Sequence, residues 1–188
     1  MTVTDNIPAS LKRNRKRLQR FVNWYPPFLG AGIKVKHISD DLRTIEVHMP
    51  LRFWNKNYVG THFGGSLYTM CDPFFMLILI NNLGPGYVVW DKAATIRFRR
   101  PGKGLVKATF HISQERIEEI RSQADAQGKV EPQFQARVMD SQGNVIAEVE
   151  KLLYVRKKDS IVNVEGVKKH QGTRNLESVE RLRFSRPG

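Results

Sequence analysis

Asp72 is a lone carboxylate inside a strongly apolar stretch, residues 57–83, which reads NYVGTHFGGSLYTMCDPFFMLILINNL. A carboxylate there is costly unless it is paired, used, or neutralised by a raised pKa, and this marks Asp72 as a functional candidate. Ahead of it, Gly64 and Gly65 let the backbone approach another group closely and open a helix, whose first-turn N–H donors have no partners within the helix. Such donors make an anion or oxyanion site. A base together with an array of donors is what the addition of water to a carbonyl requires. Ser66 and Thr69 lie near the helix start, where they are placed to orient water or a ligand, although capping is the plainer role for Ser66. The plainer role for Asp72 is to cap a kink or meet a cation such as Arg97.

The basic residues suggest what kind of molecule this chain would meet. Its formal net charge is +13 over 188 residues, with a pI near 10.1, which implies an anionic partner without identifying it. Clusters at 12–20, 97–107 and 151–158 carry much of that charge. Arg97, Arg99, Arg100 and Lys103 flank a strand end, and arginine suits phosphate because its planar fork bonds bidentately. Solubility and solvated faces are the bland reading of the same residues. A nucleic-acid or anionic-membrane role ranks last, because the aromatics near the N-terminal cluster, Phe21, Trp24 and Tyr25, lie beyond its end rather than within it. His37, His48, His62, His111 and His170 are dispersed without metal-ligand spacing, so no metal or other cofactor is expected. The glycine turn lacks the lysine of a phosphate-binding loop and the third glycine of a dinucleotide fold. Cys71, the only cysteine, is expected to pack as a small hydrophobe and points to a cytosolic compartment. The N-terminus does not read as a secretory signal, and the longest apolar run is too short to span a bilayer.

The elements that must position Asp72 follow from periodicity. Residues 1–10 read as a loose leader, and residues 11–24 as an amphipathic helix capped by Ser10 and stopped by Pro26 and Pro27. Residues 32–38 and 44–51 alternate apolar and polar side chains around Ser39-Asp40-Asp41, a β-hairpin. Phe53 and Trp54 are expected to help close the core. From Phe74 to Ile80 no residue is polar, so the central helix has no wet face and must be wrapped by sheet, and Pro73 predicts a kink at Asp72. Leu83-Gly84-Pro85-Gly86 breaks the chain. A long strand over 88–100 follows, with Ala94, Ile96 and Phe98 on one face and Thr95, Arg97 and Arg99 on the other. Further strands are expected at 105–112, around 134–138 and at 145–155, with a surface helix over 114–128. Residues 159–188 read as a basic, partly disordered tail with a helix around 176–182. The whole is an α+β domain, a curved antiparallel sheet of about six strands around one helix, and its open edges call for dimerisation.

The order of helix, hairpin, N-x-x-G-T turn, central helix and an ATIRFRRPGKG strand resembles the hotdog fold of the acyl-CoA thioesterase superfamily. The nearest resemblance is to the phenylacetyl-CoA thioesterase branch and its sister group of unknown function. It covers about residues 15–157 and rests on Asn57, Gly60, Thr61, Gly64, Gly65 and Asp72. The resemblance implies a thioesterase in which Asp72 is base or nucleophile and Gly65 with its neighbours forms the oxyanion hole. It adds Asn57 to the catalytic turn, and His62, Phe63, Gly64, Ser66, Thr69, Phe75, Arg97, Arg99, Arg100 and Lys103 to the walls of an acyl-CoA site. It also implies a homodimer with one continuous sheet, which often pairs again into a tetramer. The branch turn reads N-x-x-G-T-x-H-G-G, whereas here Phe63 stands directly before the glycines and His62 one place earlier, so His62 is not expected to take over the family histidine's role. That departure favours an alternative, a non-catalytic hotdog module that binds acyl-CoA or a fatty ligand.

Overall fold

The computed structural model describes residues 9–158, with side chains from residue 15 onward. The expected leader, apart from its last two residues, and the expected tail with its helix around 176–182 lie outside the described residues.

The sheet is antiparallel throughout and is built from seven strands in the order β1-β2-β4-β6-β7-β3, with β5 pairing β7 off that path. β1 is Lys34–Ile38, β2 Thr44–Pro50, β3 Tyr87–Phe98, β4 Leu105–His111, β5 Lys129–Val130, β6 Gln133–Asp140 and β7 Val145–Lys157. The two-residue β5 accounts for the difference from the expected six. Alternation put β2, β4 and β7 in place because one face of each is buried. In β2, Ile45, Val47 and Met49 are all in the core, and the turn between β1 and β2 is closed by Asp41 Oδ1, which accepts from Ser39 Oγ and Arg43 N.

Among the helices, α1 (Ala9–Asn23) includes Ser10, which therefore does not cap it. Pro26 and Pro27 do more than stop α1: they open α2 (Pro26–Ala31), where the missing proline N–H falls on groups without a helical partner in any case. The largest correction concerns the central helix. A kink was expected, and the chain instead divides into α3 (Gly64–Thr69) and α4 (Phe74–Leu83). Proline has no N–H to donate and pushes the residue before it out of the helical region, so residues 70–73 form a junction in which the last bond of α3 is Asp72 N to Thr69 O at 3.3 Å. α5 (Gln114–Gln127) is capped by Ser113, whose Oγ accepts from Arg116 N.

α4 fills the concave face of the sheet, with Phe74, Phe75, Ile78 and Leu79 essentially without solvent contact. Phe75 stacks on Phe134 at 4.8 Å and meets Phe110 edge-on at 5.3 Å. The expectation that α4 has no wet face needs amending, because Ile80 is 42% exposed and Met76 and Leu77 are only partly covered. Phe53 and Trp54 do not close the core either. They stack edge-on against each other at 4.9 Å and are 81% and 54% exposed, in a loop whose inward position is taken by Asn55. The polar Asn55 fits there because its amide bridges three backbone groups, those of Ala31, Pro50 and Arg52.

The two edges of the sheet differ. On β1, side chains of α1 occupy the ladder: Asn23 Oδ1 accepts from Val35 N at 2.8 Å, and Asn23 and Gln19 donate to Val35 O. On β3, no described residue pairs with the free side. Its inward residues Ala94, Ile96 and Phe98 lie under neither helix fully, and Phe98 is 56% exposed. A long edge of this kind, with an apolar row beyond its bulge, is a template for pairing.

Phe75 joins the rings of Phe110 and Phe134, so Phe75→Ala is expected to cost about 3–5 kcal/mol in urea unfolding. A loss below about 1 kcal/mol would mean that the α4 contacts are not the centre of the core.

Candidate functional site

The odd-numbered residues of β7 from Ala147 on face the interior, and Ala147, Val149, Leu153 and Val155 are accordingly apolar and buried. Lys151 falls in the same row, with a side chain that has no exposed surface. Its ammonium is shared by two carboxylates: Nζ lies 2.9 Å from Asp72 Oδ1 and 3.1 Å from Asp91 Oδ2. Tyr68, one turn before Asp72, donates its hydroxyl to the same Oδ1 at 3.0 Å, and its ring lies 5.3 Å from Nζ. Both of these bonds fall on one oxygen of Asp72, and the side chain remains 48% exposed. Asp91 reaches inward from β3, beside the bulge at Lys92, where the register with β7 slips between Asp91 and Ala93. Lys92 is itself fixed by Glu131, with both carboxylate oxygens at 2.7 Å.

The charges in this cluster respond to burial in opposite ways. Burial pushes the Asp91 carboxyl up despite the pull of Lys151, and Asp91 Oδ1 is buried without a hydrogen-bond partner. Burial works against the Lys151 ammonium, but its bonds to Asp72 and then Asp91 outweigh that and raise it above the ordinary lysine value. The neighbouring Cys71 thiol is pushed up to about 12 by burial and has no nucleophilic character. Arg97, the expected partner of Asp72, points to the other face of the sheet and pairs with Glu150 at 2.6 Å. The basic cluster at 151–158 likewise is not one solvated face, because Lys151 is turned into the core.

The glycine turn sits at the other end of α3. Asn57 organises it: Oδ1 accepts from Val59 N and Thr61 N, while Nδ2 donates to Thr61 Oγ1 and His62 O. That is the work of a turn-forming side chain. His62 is buried, and its Nε2 lies 2.9 Å from Gly104 O. A carbonyl only accepts, so Nε2 carries the proton and Nδ1 is left bare, buried and without a partner. Burial holds the imidazole below its ordinary pKa, and the ring is neutral. The Phe63 and Phe98 rings lie against Gly65 and Gly64. A side chain on Gly65 would come within 2.4 Å of Phe63, and one on Gly64 within 2.9 Å of Phe98. Ser66 is buried and does not cap α3, since the cap position belongs to Phe63, and Thr69 Oγ1 bonds back to Gly65 O.

Two grooves flank this turn. One gathers Asn57, His62, Gly64, Phe98, Arg99, Arg100 and Lys103, and the other Trp54, Phe63, Gly65, Ser66 and Thr69. Arg99 is paired with Glu148 at 2.7 Å, and Arg100 donates to Asn144 Oδ1 at 3.0 Å. Phe75 is not a wall of either groove but part of the core. Sequence reasoning missed Lys151, Asp91 and Tyr68. The signal for Lys151 was present, since a lysine at an inward position of an alternating strand needs a buried carboxylate partner.

Among the described residues, a seven-stranded antiparallel sheet around a central helix preceded by a glycine turn defines a hotdog fold. Residues 14–155 match the family model described as Domain of unknown function (DUF4442), and the chain belongs to that family. The chain is similar to a Pseudomonas aeruginosa protein described as of unknown function and a probable thioesterase. The two are 24% identical with a TM-score of 0.69 over 76% of this chain and 96% of that one. It is also similar to a thioesterase of Haemophilus influenzae, at 15% identity and a TM-score of 0.57 over 76% of this chain and 90% of that one. The PaaI protein of the E. coli phenylacetic acid degradation operon shows 15% identity and a TM-score of 0.54, covering 80% of this chain and 96% of that one. At these identities the likeness is one of fold. No curated protein matches the sequence. Among the described residues, no helix is long and apolar enough to cross a membrane.

The depressed His62 carries a pH signature. Its unfolded form takes up a proton near pH 6.5, while the folded form resists to lower pH. Its contribution is therefore complete above about pH 6.5 and is lost as pH falls below it. Urea midpoints of the wild type and His62→Gln between pH 7.5 and 5 should show a shallower fall in the variant. Equal slopes would mean that His62 is protonated freely in the fold.

Proposed function

We propose that this chain is an acyl-CoA thioesterase that uses the Asp72 carboxylate as general base. The observation that carries the reading is that Asp72 is held through one oxygen, is half exposed, and shares its ammonium with Asp91 of β3, the strand with the free edge. In the reaction, Asp72 takes a proton from water as the water oxygen bonds to the thioester carbon. The oxyanion collapses, the C–S bond breaks, and the departing CoA thiolate receives the proton, leaving the free acid. First-turn N–H groups at Gly64 and Gly65 would polarise the carbonyl.

Asp72 and Gly65 are separated by α3, a distance on the order of 10 Å at 1.5 Å per residue. One chain therefore does not bring base and donors to the same carbonyl. A homodimer formed by pairing the free β3 edges would supply the two from different chains, and the open face of Ala94, Ile96 and Phe98 supports that arrangement. Pairing of such dimers into tetramers stays open in this reading. Lys103 and Arg100 are the cations best placed for the CoA phosphates, because Arg97 and Arg99 already face carboxylates. A reducing cytosolic setting suits a chain whose one thiol is buried. Nucleic acid and anionic membrane are not the partners of this reading. One observation favours the second reading, a hotdog module that binds acyl-CoA or a fatty ligand without turnover: His62 is committed to Gly104 O and free for no other role through Nε2.

Free-thiol release from short, medium, long and aryl acyl-CoA esters separates the two. The wild type should turn over at least one ester, and Asp72→Asn should lose about 100- to 10,000-fold with its fold and oligomer intact. No release on any ester, or equal release by both proteins, would leave the binding module as the answer.

A further inference from the structure

Lys151 is an expensive way to fill space. A buried ammonium between two carboxylates bears a desolvation cost, and apolar side chains of similar volume are often neutral or better in such a place. Val149 and Leu153, its neighbours in the same inward row, show that the site accepts apolar residues. The geometry around Lys151 gives another reason for its presence. In the junction at 70–73 the Asp72 N–H still reaches Thr69 O, but Pro73 has no N–H with which to continue the helix. The Asp72 side chain is held by two further bonds, from Tyr68 on α3 and Lys151 on β7, and both fall on Oδ1. Asp91 then holds the ammonium from the other side at 3.1 Å, on a strand bulged at Lys92, and Lys92 is clamped by Glu131. The groups facing Nζ are thus Asp72, Asp91 and the Tyr68 ring and hydroxyl, with Cys71 adjacent in the chain to Asp72.

We propose that Lys151 is a positioning residue: held by Asp91, it fixes Oδ1 of Asp72 so that the other oxygen alone is presented to substrate. With no exposed surface it does not touch substrate and acts only through Asp72. This rests on the reading of Asp72 as the base. It predicts a defect in the chemical step rather than in binding, since a carboxylate that wanders by about 1 Å loses on the order of 100-fold in rate.

The test joins kinetics to a readout that needs no turnover. Lys151→Met should lower kcat by about 100-fold with KM little changed, and Lys151→Arg, which keeps the charge and a donor, should recover part of that loss. Should Lys151→Met fail to fold, Lys151→Arg and Asp91→Asn carry the comparison, each with reduced kcat and near-normal KM. Separately, 15N NMR at neutral pH should show a protected Lys151 ammonium in the wild type that is lost in Asp72→Asn. Variants that melt earlier but keep full kcat per folded molecule would overturn the proposal and leave Lys151 a structural residue, as would an ammonium signal that is absent in the wild type or indifferent to Asp72→Asn. If the wild type releases thiol from no ester, the thioesterase reading falls by itself, and the ammonium signal still decides whether Lys151 tethers Asp72.

Discussion

A helix with no polar side chain for most of its length cannot sit on a surface, and α4 sets the terms for everything around it. The sheet must curve about it, the strands must turn their apolar rows inward, and any polar group caught in the shared interior must be compensated there. Phe74, Phe110, Phe75 and Phe134 form a continuous run of ring contacts that ties α4 to β4 and β6. The same enclosure makes the cluster around Asp72 consequential. The low dielectric of a packed interior strengthens each bond that is made and penalises each that is missing.

Two groups in this interior meet that constraint in different ways. Lys151 keeps its charge because two carboxylates reach it, and one of them, Asp91, is brought in beside a bulge that interrupts the regular ladder. His62 has no counter-ion and remains neutral, with one nitrogen satisfied by a carbonyl and the other bare. The first group sits beside the open side of the sheet and the second at the groove of the glycine turn. A buried ion cluster and a buried neutral imidazole therefore stand at opposite ends of α3, separated by the length of that short helix.

Much of this was legible in the sequence. Period-two alternation in β2, β4 and β7 and the hairpin turn at Ser39 are local signals, and local signals survive folding. The faces of β3 were legible for the same reason, with Ala94, Ile96 and Phe98 turned inward. Pro73 announced a disturbance but not its extent, because whether a proline kinks or divides a helix depends on what can replace the lost bond. The partner of Asp72 was not legible. Lys151 lies in a different element, and only the register of β7 against β3 decides that it, and not Arg97, faces the helix. Phe53 and Trp54 misled for a related reason. Aromatic content says that a segment is sticky but not which way its loop faces, and here Asn55 took the inward place through hydrogen bonds that no pattern of hydrophobicity reveals.

The strand order also has a consequence for how the chain is made. Among the described residues β3 is paired only by β7, the last of their strands, and the residues between them must be synthesised first. At about 5–20 residues per second, α4 and β3 wait on the order of seconds for that partner. For that interval β3 has no strand beside it, and Asp72 has no ammonium to meet it and must stay hydrated. The arrival of β7 completes the wall and delivers Lys151 in the same event. Closure of the core and delivery of the ammonium to Asp72 and Asp91 are thus coupled, and a nascent chain stalled before β7 is the form of this protein most in need of a chaperone.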